Sequence, residues 1–201
     1  MEAVIGEDGV ARCPWAAAPG LLRDYHDAEW GRGVTGEAAW FERLSLEAFQ
    51  SGLSWAVVLR KRPAFRAAFA GFDADVVAGF DDVDRDRLLA DAGIVRNRAK
   101  IEATIANAAA VRELRAEGGL EVHVRAAAPS SWTPVRDTDE LPTTCPESVA
   151  LARDLKRRGF RFVGPTTLHA LFEALGLVEA HLVGCFRSPH APVGAPAAVA
   201  P

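Results

Sequence analysis

The stretch Trp40–Arg62, WFERLSLEAFQSGLSWAVVLRKR, restricts the fold more than any other part of the chain. At about 100° per residue, a helix over Trp40–Ser51 puts Trp40, Leu44, Ala48 and Ser51 on one face, with Glu47 level with them. Leu46 and Phe49 occupy the other side, and a helix apolar on most sides is a buried one. Glu47 therefore points inward. Burying a carboxylate is costly unless it is paired or protonated. Either Glu47 meets a salt-bridge partner or a helix end, or it lines a pocket and meets a ligand; the stretch alone leaves both open. Gly52-Leu53 then interrupts the helix, and Ser54 reads as the N-cap of the next. Trp55, Val58 and Leu59 continue the apolar pattern, and Arg60-Lys61-Arg62 places basic charge beside the suspected pocket.

A chain of 201 residues with an apolar share of 49% supports one domain with an ample core. No run of 18 apolar residues exists, so no membrane span is expected. The acidic start MEAVIGEDGVARC lacks the apolar core of a signal peptide, so a cytoplasmic protein is expected. Cysteines at positions 13, 145 and 185 make a poor disulfide framework. The net charge of −4 argues mildly against a nucleic-acid partner, although local patches outweigh the sum.

The remaining pattern is helical. Helices are expected over 63–70, 73–79, 83–92, 97–117, 146–158 and 165–175, with Gly93, Gly159 and Gly176 as left-handed caps. Residues 1–11 and 187–201 are expected to be flexible tails, and 126–144 a loop. The aromatic and polar segment Tyr25–Gly31, YHDAEWG, reads as a loop that packs against something specific. No internal repeat and no convincing strand is present.

Leu88–Ile101, LLADAGIVRNRAKI, reads as helix, tight glycine turn, helix. The turn carries Gly93, Ile94 and Val95, and the second helix opens with Arg96, Arg98 and Lys100. Amides at such a helix start bind anions, nearby cations strengthen the site, and no base sequence is required. An ordinary helical corner with a solvated basic face fits equally well. Lys156-Arg157-Arg158 with Arg161 is a second basic cluster. With Arg60–Arg62 it extends a stripe suited to phosphates.

Cys13 and His26 lie near the start of the chain, and His181 and Cys185 near its end, in HLVGC. The His-x3-Cys spacing puts the last two on one face of a helical turn. Two sulfurs and two imidazoles suit tetrahedral zinc with no open position, hence a structural site. With the two pairs so far apart in sequence, spacing does not distinguish such a site from unrelated buried cysteines and surface histidines. Cys145, His123, His169 and His190 fit no ligand pattern. Catalytic zinc signatures, a P-loop, a dinucleotide fingerprint and G-x-S-x-G are all absent.

Together these motifs resemble the type I 3-methyladenine DNA glycosylases. The resemblance runs from RCPW at Cys13 through YHDAEWG, LEAFQSGLSW, ADAGIVRNRAKI, LKRRGFRFVGPTT and HLVGCF, over Arg12–Phe186. It implies an all-α helix-hairpin-helix glycosylase fold over 12–186, with two helical lobes and a base pocket between them. It implies excision of N3-methyladenine from alkylated double-stranded DNA, leaving an abasic site and free 3-methyladenine, by a monomer. Cys13, His26, His181 and Cys185 stand where that family has its zinc ligands. Glu47 matches the base-recognising carboxylate, and Tyr25 and Trp55 match residues that hold the base. Trp15 and Trp30 match aromatics that line or close the pocket. Gly52-Leu53 matches the tip that enters the duplex, and Gly93, Arg96, Arg98 and Lys100 belong to the DNA-binding hairpin. Leu22 stands where some members carry an aromatic, His169 where a tyrosine is usual, and VEAH replaces VNDH before His181, which bears on a contact behind the ligand.

The chemistry agrees with that resemblance. An N3-methylated adenine carries positive charge and is already a good leaving group. A buried carboxylate and aromatic faces suit it by charge and by cation–π contact. The base must first leave the duplex, and Leu53 is an apolar wedge for the gap. No Asp occurs between Ala92 and Arg136 to support the chemistry from beyond the hairpin, so stabilisation of the departing base in a dry pocket is expected to carry most of the rate. Glu47 as general base is the alternative. No lysine sits in the Glu47 motif, so no Schiff-base lyase step is expected. A non-catalytic DNA-binding module would use the same hairpin, but it leaves Glu47 and the aromatic set without a purpose. A zinc hydrolase would need an open coordination position.

Overall fold

The computed structural model describes residues 1–191 and is mostly helical. Of the expected tail 187–201, Arg187 donates to the Asp27 carbonyl at 2.8 Å and Ser188 is buried, and the part from 192 on lies outside the described residues. The chain forms two compact units: one holds Met1–Gly33, Pro129–Thr143 and the chain from Phe172 onward, the other Val34–Ala128 and Thr144–Leu171.

The first unit opens with a short antiparallel pair, β1 (Val4–Ile5) and β2 (Ala11–Arg12), where a loose tail was expected. The turn between the strands is closed by a Gly6 N to Val10 O bond of 3.0 Å and by Gly9 at φ 75°. Arg12 anchors it: its buried guanidinium meets Asp8 at 2.9 Å and Asp27 at 2.8 Å. The N-terminal ammonium also reaches Asp137 and Thr138. Helix α1 (Leu21–Ala28) replaces the expected loop around Tyr25 and His26. It ends before Gly31, whose φ is 73°. At Gly176 (φ 66°), an added Cβ would meet the Gly31 carbonyl oxygen at 2.4 Å, so that close approach requires glycine.

The second unit is built on helix α2 (Glu37–Gln50), buried without interruption from Trp40 to Phe49. Helix α3 (Trp55–Ala68) runs through Pro63 rather than restarting there. Helix α4 (Ala74–Ala78) is capped by Asp73, whose Oδ1 accepts from Asp75 N at 2.9 Å. Helix α5 (Asp82–Ala90) has a capping box between Asp81 and Asp84. It ends at an extended Asp91, and Gly93 is not left-handed as expected. The glycine is needed for space instead: a Cβ there would lie 3.0 Å from the Ala64 methyl and 2.8 Å from Asp91 Oδ1. Helix α6 (Arg98–Leu114) follows, N-capped by Asn97. Helix α7 (Gly119–Ala126) follows after Gly118, which takes φ 95°. Helix α8 (Pro146–Arg157) is capped by Cys145, whose Sγ accepts from Ser148 N at 3.4 Å, which gives that thiol a structural role. Helix α9 (Pro165–Ala174) ends near Gly176, as the glycine signal predicts.

Aromatic packing fixes the α2–α3 corner. The Phe69 ring lies 5.9 Å from Phe49, 6.3 Å from Phe65, 5.7 Å from Phe72 and 6.4 Å from Phe80, all between ring centroids. Removing it leaves a cavity bounded by side chains that cannot all close in. Phe69→Ala is expected to cost about 3–5 kcal/mol, read as a lower urea midpoint at unchanged slope; a loss under about 1 kcal/mol would contradict this packing.

The first unit contains a cavity of about 220 Å³ whose lining includes Trp30, Trp132, Glu173 and His181. Burial pushes the Glu173 carboxyl up from 4.5 to about 7. The folded state therefore holds this proton more tightly than the unfolded chain. The resulting stabilisation is complete below about pH 4.5 and lost as pH rises through about 7. The stability difference between the native chain and Glu173→Gln is expected to fall across that window in denaturant titrations; a flat difference would show an unshifted carboxyl.

Candidate functional site

In the second unit, Glu47 is 6% exposed and sits near the C-terminal end of α2, as the helical pattern requires. Its helix also buries Glu42, whose carboxylate is met by Arg66 at 2.9 Å. Two residues beyond the end of α2, Gly52 takes φ 78°, and Leu53 follows with 40% of its surface exposed. A tight bond from Leu53 N to Gln50 O, 2.6 Å, closes this tip. Trp55, half-buried, then starts α3 with Ser54 at the N-cap position, although no side-chain cap bond forms there.

The helix–turn–helix of α5 and α6 forms as the sequence predicts. Asp91 Oδ1 accepts from Gly93 N at 2.7 Å and shapes the turn. Lys61 donates to the carbonyls of Ala92 at 2.7 Å and Gly93 at 3.2 Å, so part of the expected phosphate stripe is spent on the turn itself. Arg96 is exposed, and Arg98 is exposed with Glu102 at 3.8 Å. Lys100 corrects an expectation: it is 7% exposed, and its ammonium donates to the carbonyls of Phe49 and Ser51. A side chain held that way does not reach a DNA phosphate. The second basic cluster is likewise partly neutralised, with Arg157 and Arg158 each 2.8 Å from Asp154. Sequence reading missed Asn107, a buried side chain that clamps the backbone of Arg161. Its Nδ2 donates to Arg161 O at 3.0 Å, and its Oδ1 accepts from Arg161 N at 2.7 Å. The next residue, Phe162, is 41% exposed at φ 55°, a conformation unusual for a bulky side chain.

In the first unit, Cys13, His26, His181 and Cys185 converge. All four are buried, and one ligand atom from each lies within 4.8 Å of all the others. HLVGC is a turn closed by Cys185 N to Leu182 O at 2.7 Å rather than the expected helical turn. The Cys185 sulfur lies 3.4 Å from His26 Nε2 and 3.7 Å from His181 Nδ1, and the Cys13 sulfur 3.9 Å from His181 Nδ1. Two sulfurs and two imidazole nitrogens are a donor set that suits a tetrahedral metal ion, and their separations, up to 4.8 Å, are somewhat wider than the roughly 3.3–3.8 Å of a bound one. Hydrogen bonds from Cys13 and both imidazoles favour the Cys185 thiolate and hold it far below the ordinary thiol range, while the shared bond with Cys185 and burial push Cys13 up.

Support for the ligands lies around them. Asp27 Oδ1 bonds His26 Nδ1 at 2.8 Å and so leaves Nε2 to face the sulfurs. Burial raises the Asp27 carboxyl, but hydrogen bonds with Arg12 and His26 outweigh it and hold the group below its usual range. His181 Nε2 faces the Trp30 carbonyl at 3.4 Å, and Glu179 accepts from His181 N at 2.8 Å. The ring contact that VEAH put in question thus falls to the Trp30 backbone oxygen, while Glu179 holds the main chain at His181. Gly31 is required beside it, because a Cβ there would lie 2.9 Å from His181 Nε2.

The aromatic candidates of this unit pack on the same imidazoles. Trp15, 37% exposed, meets His26 edge-on at 5.1 Å and Trp30 at 5.0 Å. Trp30 meets His181 at 4.6 Å. Tyr25 is buried one residue before His26, and its carbonyl accepts from Glu29 N and Trp30 N at 2.9 Å. Leu22 is half-buried and His169 fully buried.

The family model for methyladenine glycosylases matches residues 15–188. The chain is 41% identical over 177 residues to DNA-3-methyladenine glycosylase 1 of Escherichia coli K12, covering 87% of this chain and 95% of that protein. A crystal structure of 3-methyladenine DNA glycosylase I superposes with a TM-score of 0.85 at 41% identity, covering 89% of this chain and all of the other. A variant of 3-methyladenine DNA glycosylase I crystallised in complex with 3-methyladenine superposes at 0.81 with 30% identity, over 90% of this chain and 97% of the other. With the buried carboxylate, the exposed tip, the helix–turn–helix and the Cys/His cluster all in place, the chain belongs to the methyladenine glycosylase family.

Proposed function

We propose that this protein excises N3-methyladenine from alkylated double-stranded DNA, acting as a monofunctional glycosylase in base-excision repair. The observation that carries this reading is the burial of Glu47 on α2, in a chain 41% identical to a relative named for that activity. The bond between the sugar C1′ and the base nitrogen breaks, and the base leaves with the electron pair, which cancels its positive charge. Water adds to C1′ and loses a proton, so an abasic site and free 3-methyladenine remain.

Glu47 supplies negative charge and hydrogen-bond acceptors to the cationic purine, and low local polarity strengthens that attraction. Trp55, in the same unit as Glu47, offers a face to the flipped base. Leu53, presented at the tip by Gly52, fills the gap left in the duplex. Gly93, Arg96 and Arg98 meet the DNA backbone without reading sequence. No described helix is long and apolar enough to cross a membrane.

Cys13, His26, His181 and Cys185 would hold one structural zinc ion, which would fix the fold of their unit and supply no step of the reaction. Metal analysis is expected to find one zinc per chain. Cys185→Ser is expected to lose it and to lower the thermal midpoint by roughly 10 °C or more, at about 2–4 °C per kcal/mol for a chain of this length. A chain that binds no zinc, or a variant that keeps its midpoint, would remove this assignment.

Base release from methylated duplex DNA, followed by chromatography, tests the activity. The native chain is expected to free 3-methyladenine but not 7-methylguanine. Glu47→Gln, still folded, is expected to lose about 10²–10³-fold, the size of one lost electrostatic contact in a dry site. A pH–rate limb that disappears in this variant would make Glu47 a general base instead. Zinc and DNA binding without any base release would leave a non-catalytic DNA-binding module.

A further inference from the structure

Lys100 lies in the first turn of α6, yet its side chain is turned away from solvent. Its ammonium donates to Phe49 O at 2.8 Å and to Ser51 O at 2.5 Å. Those carbonyls belong to the last turn and the cap of α2, where the chain leaves helical geometry with Ser51 at φ −47° and ψ 116°. A helix end leaves its last carbonyls without intrahelical donors and carries partial negative charge. A lysine ammonium, with three donors and a full positive charge, satisfies both demands. The lysine is itself held: its amide is bonded by Asn97 Oδ1 at 3.1 Å, and its carbonyl by Thr104 Oγ1 at 3.0 Å.

The bond joins parts of one unit that the proposed function uses separately. Glu47 lies two residues before Phe49, the Gly52-Leu53 tip begins directly after Ser51, and Lys100 belongs to the second helix of the helix–turn–helix. We propose that Lys100 is a positioning residue for base extrusion, tying the Leu53 tip to the helix–turn–helix so that seating the turn on the DNA backbone sets the depth and direction of the wedge. This role rests on the glycosylase reading above. It gives a purpose to the burial of a cation at a helix start where Arg96 and Arg98 stay exposed. A neutral side chain of similar length would fill the volume, but it would leave two carbonyls without their donor and the tip free to shift.

The test is a double-mutant cycle on single-turnover release of 3-methyladenine from methylated duplex DNA, with native chain, Lys100→Met, Leu53→Ala and the double variant. Binding of free 3-methyladenine is followed in parallel by tryptophan fluorescence. Lys100→Met is expected to slow release on the order of 10²-fold, the effect of roughly 1 Å of misplacement, while its affinity for the free base stays within about twofold. In the Leu53→Ala background the same change is expected to cost little, because the wedge it positions is already gone. Native-like release by Lys100→Met, or effects that multiply in the double variant, would overturn the proposal. Equal loss of free-base binding and duplex release would reduce Lys100 to a stability role. Should Lys100→Met not fold, Lys100→Arg, which keeps the charge but changes its reach, is carried through the same cycle, and the same outcomes support or overturn the proposal. If the native chain releases no base at all, the glycosylase reading falls, and this role falls with it; base release by the native chain alongside an unaffected variant removes only the role of Lys100.

Discussion

Helix α2 is buried along ten consecutive residues, Trp40–Phe49, and the rest of its unit answers to that burial. Such a helix cannot leave its polar groups to water, so each needs a partner supplied by the fold. Arg66 meets Glu42, the Val34 carbonyl accepts from the Trp40 indole at 3.1 Å, and Lys100 caps the carbonyl end. The phenylalanines that surround α2 and α3 add apolar weight, but the polar partners fix how the helix is oriented. Glu47 is held in this setting, close to where the helix ends and the exposed tip begins.

The other unit has a different source of order. Its residues come from three separate parts of the chain, and its secondary structure is sparse. Four buried side chains from positions 13, 26, 181 and 185, a group that could hold a metal ion, meet where those parts come together. The Arg12–Asp27–His26 series orients one imidazole, and the Trp30 carbonyl faces the other. Trp15 and Trp30 rest on these rings, so aromatic candidates for base recognition are placed by the same cluster that would hold a metal. A change at a ligand would therefore reach the aromatic surface without any direct contact with a base.

Basic residues divide into two kinds that composition does not separate. Arg96 and Arg98 remain in solvent, whereas Lys61 and Lys100 are bound to backbone carbonyls of their own chain, and Arg157 and Arg158 to Asp154. Arg60, Arg153, Lys156 and Arg161 are exposed as well.

The sequence by itself determined the helical class, the inward direction of Glu47, the interruption at Gly52-Leu53 and the turn at Gly93. The first two follow from periodicity, and the last two from glycine, which admits backbone angles and close approaches denied to other residues. It also carried the four ligand positions, although spacing alone did not join positions 13 and 26 to 181 and 185. Tertiary structure decided what depends on contacts distant in sequence. Residues 1–11 form a strand pair because Arg12 finds Asp27, and Tyr25–Ala28 lie in a helix despite a loop-like composition. Asp27 became the partner of the His26 ring, Glu179 that of the His181 amide, and Cys145 a helix cap. Lys100 shows the limit most clearly: in sequence it is one more cation at a helix start, and only packing shows that its charge is spent on the end of α2. Local pattern encodes backbone geometry, whereas the destination of a long charged side chain is set by whichever buried acceptors the fold brings within reach.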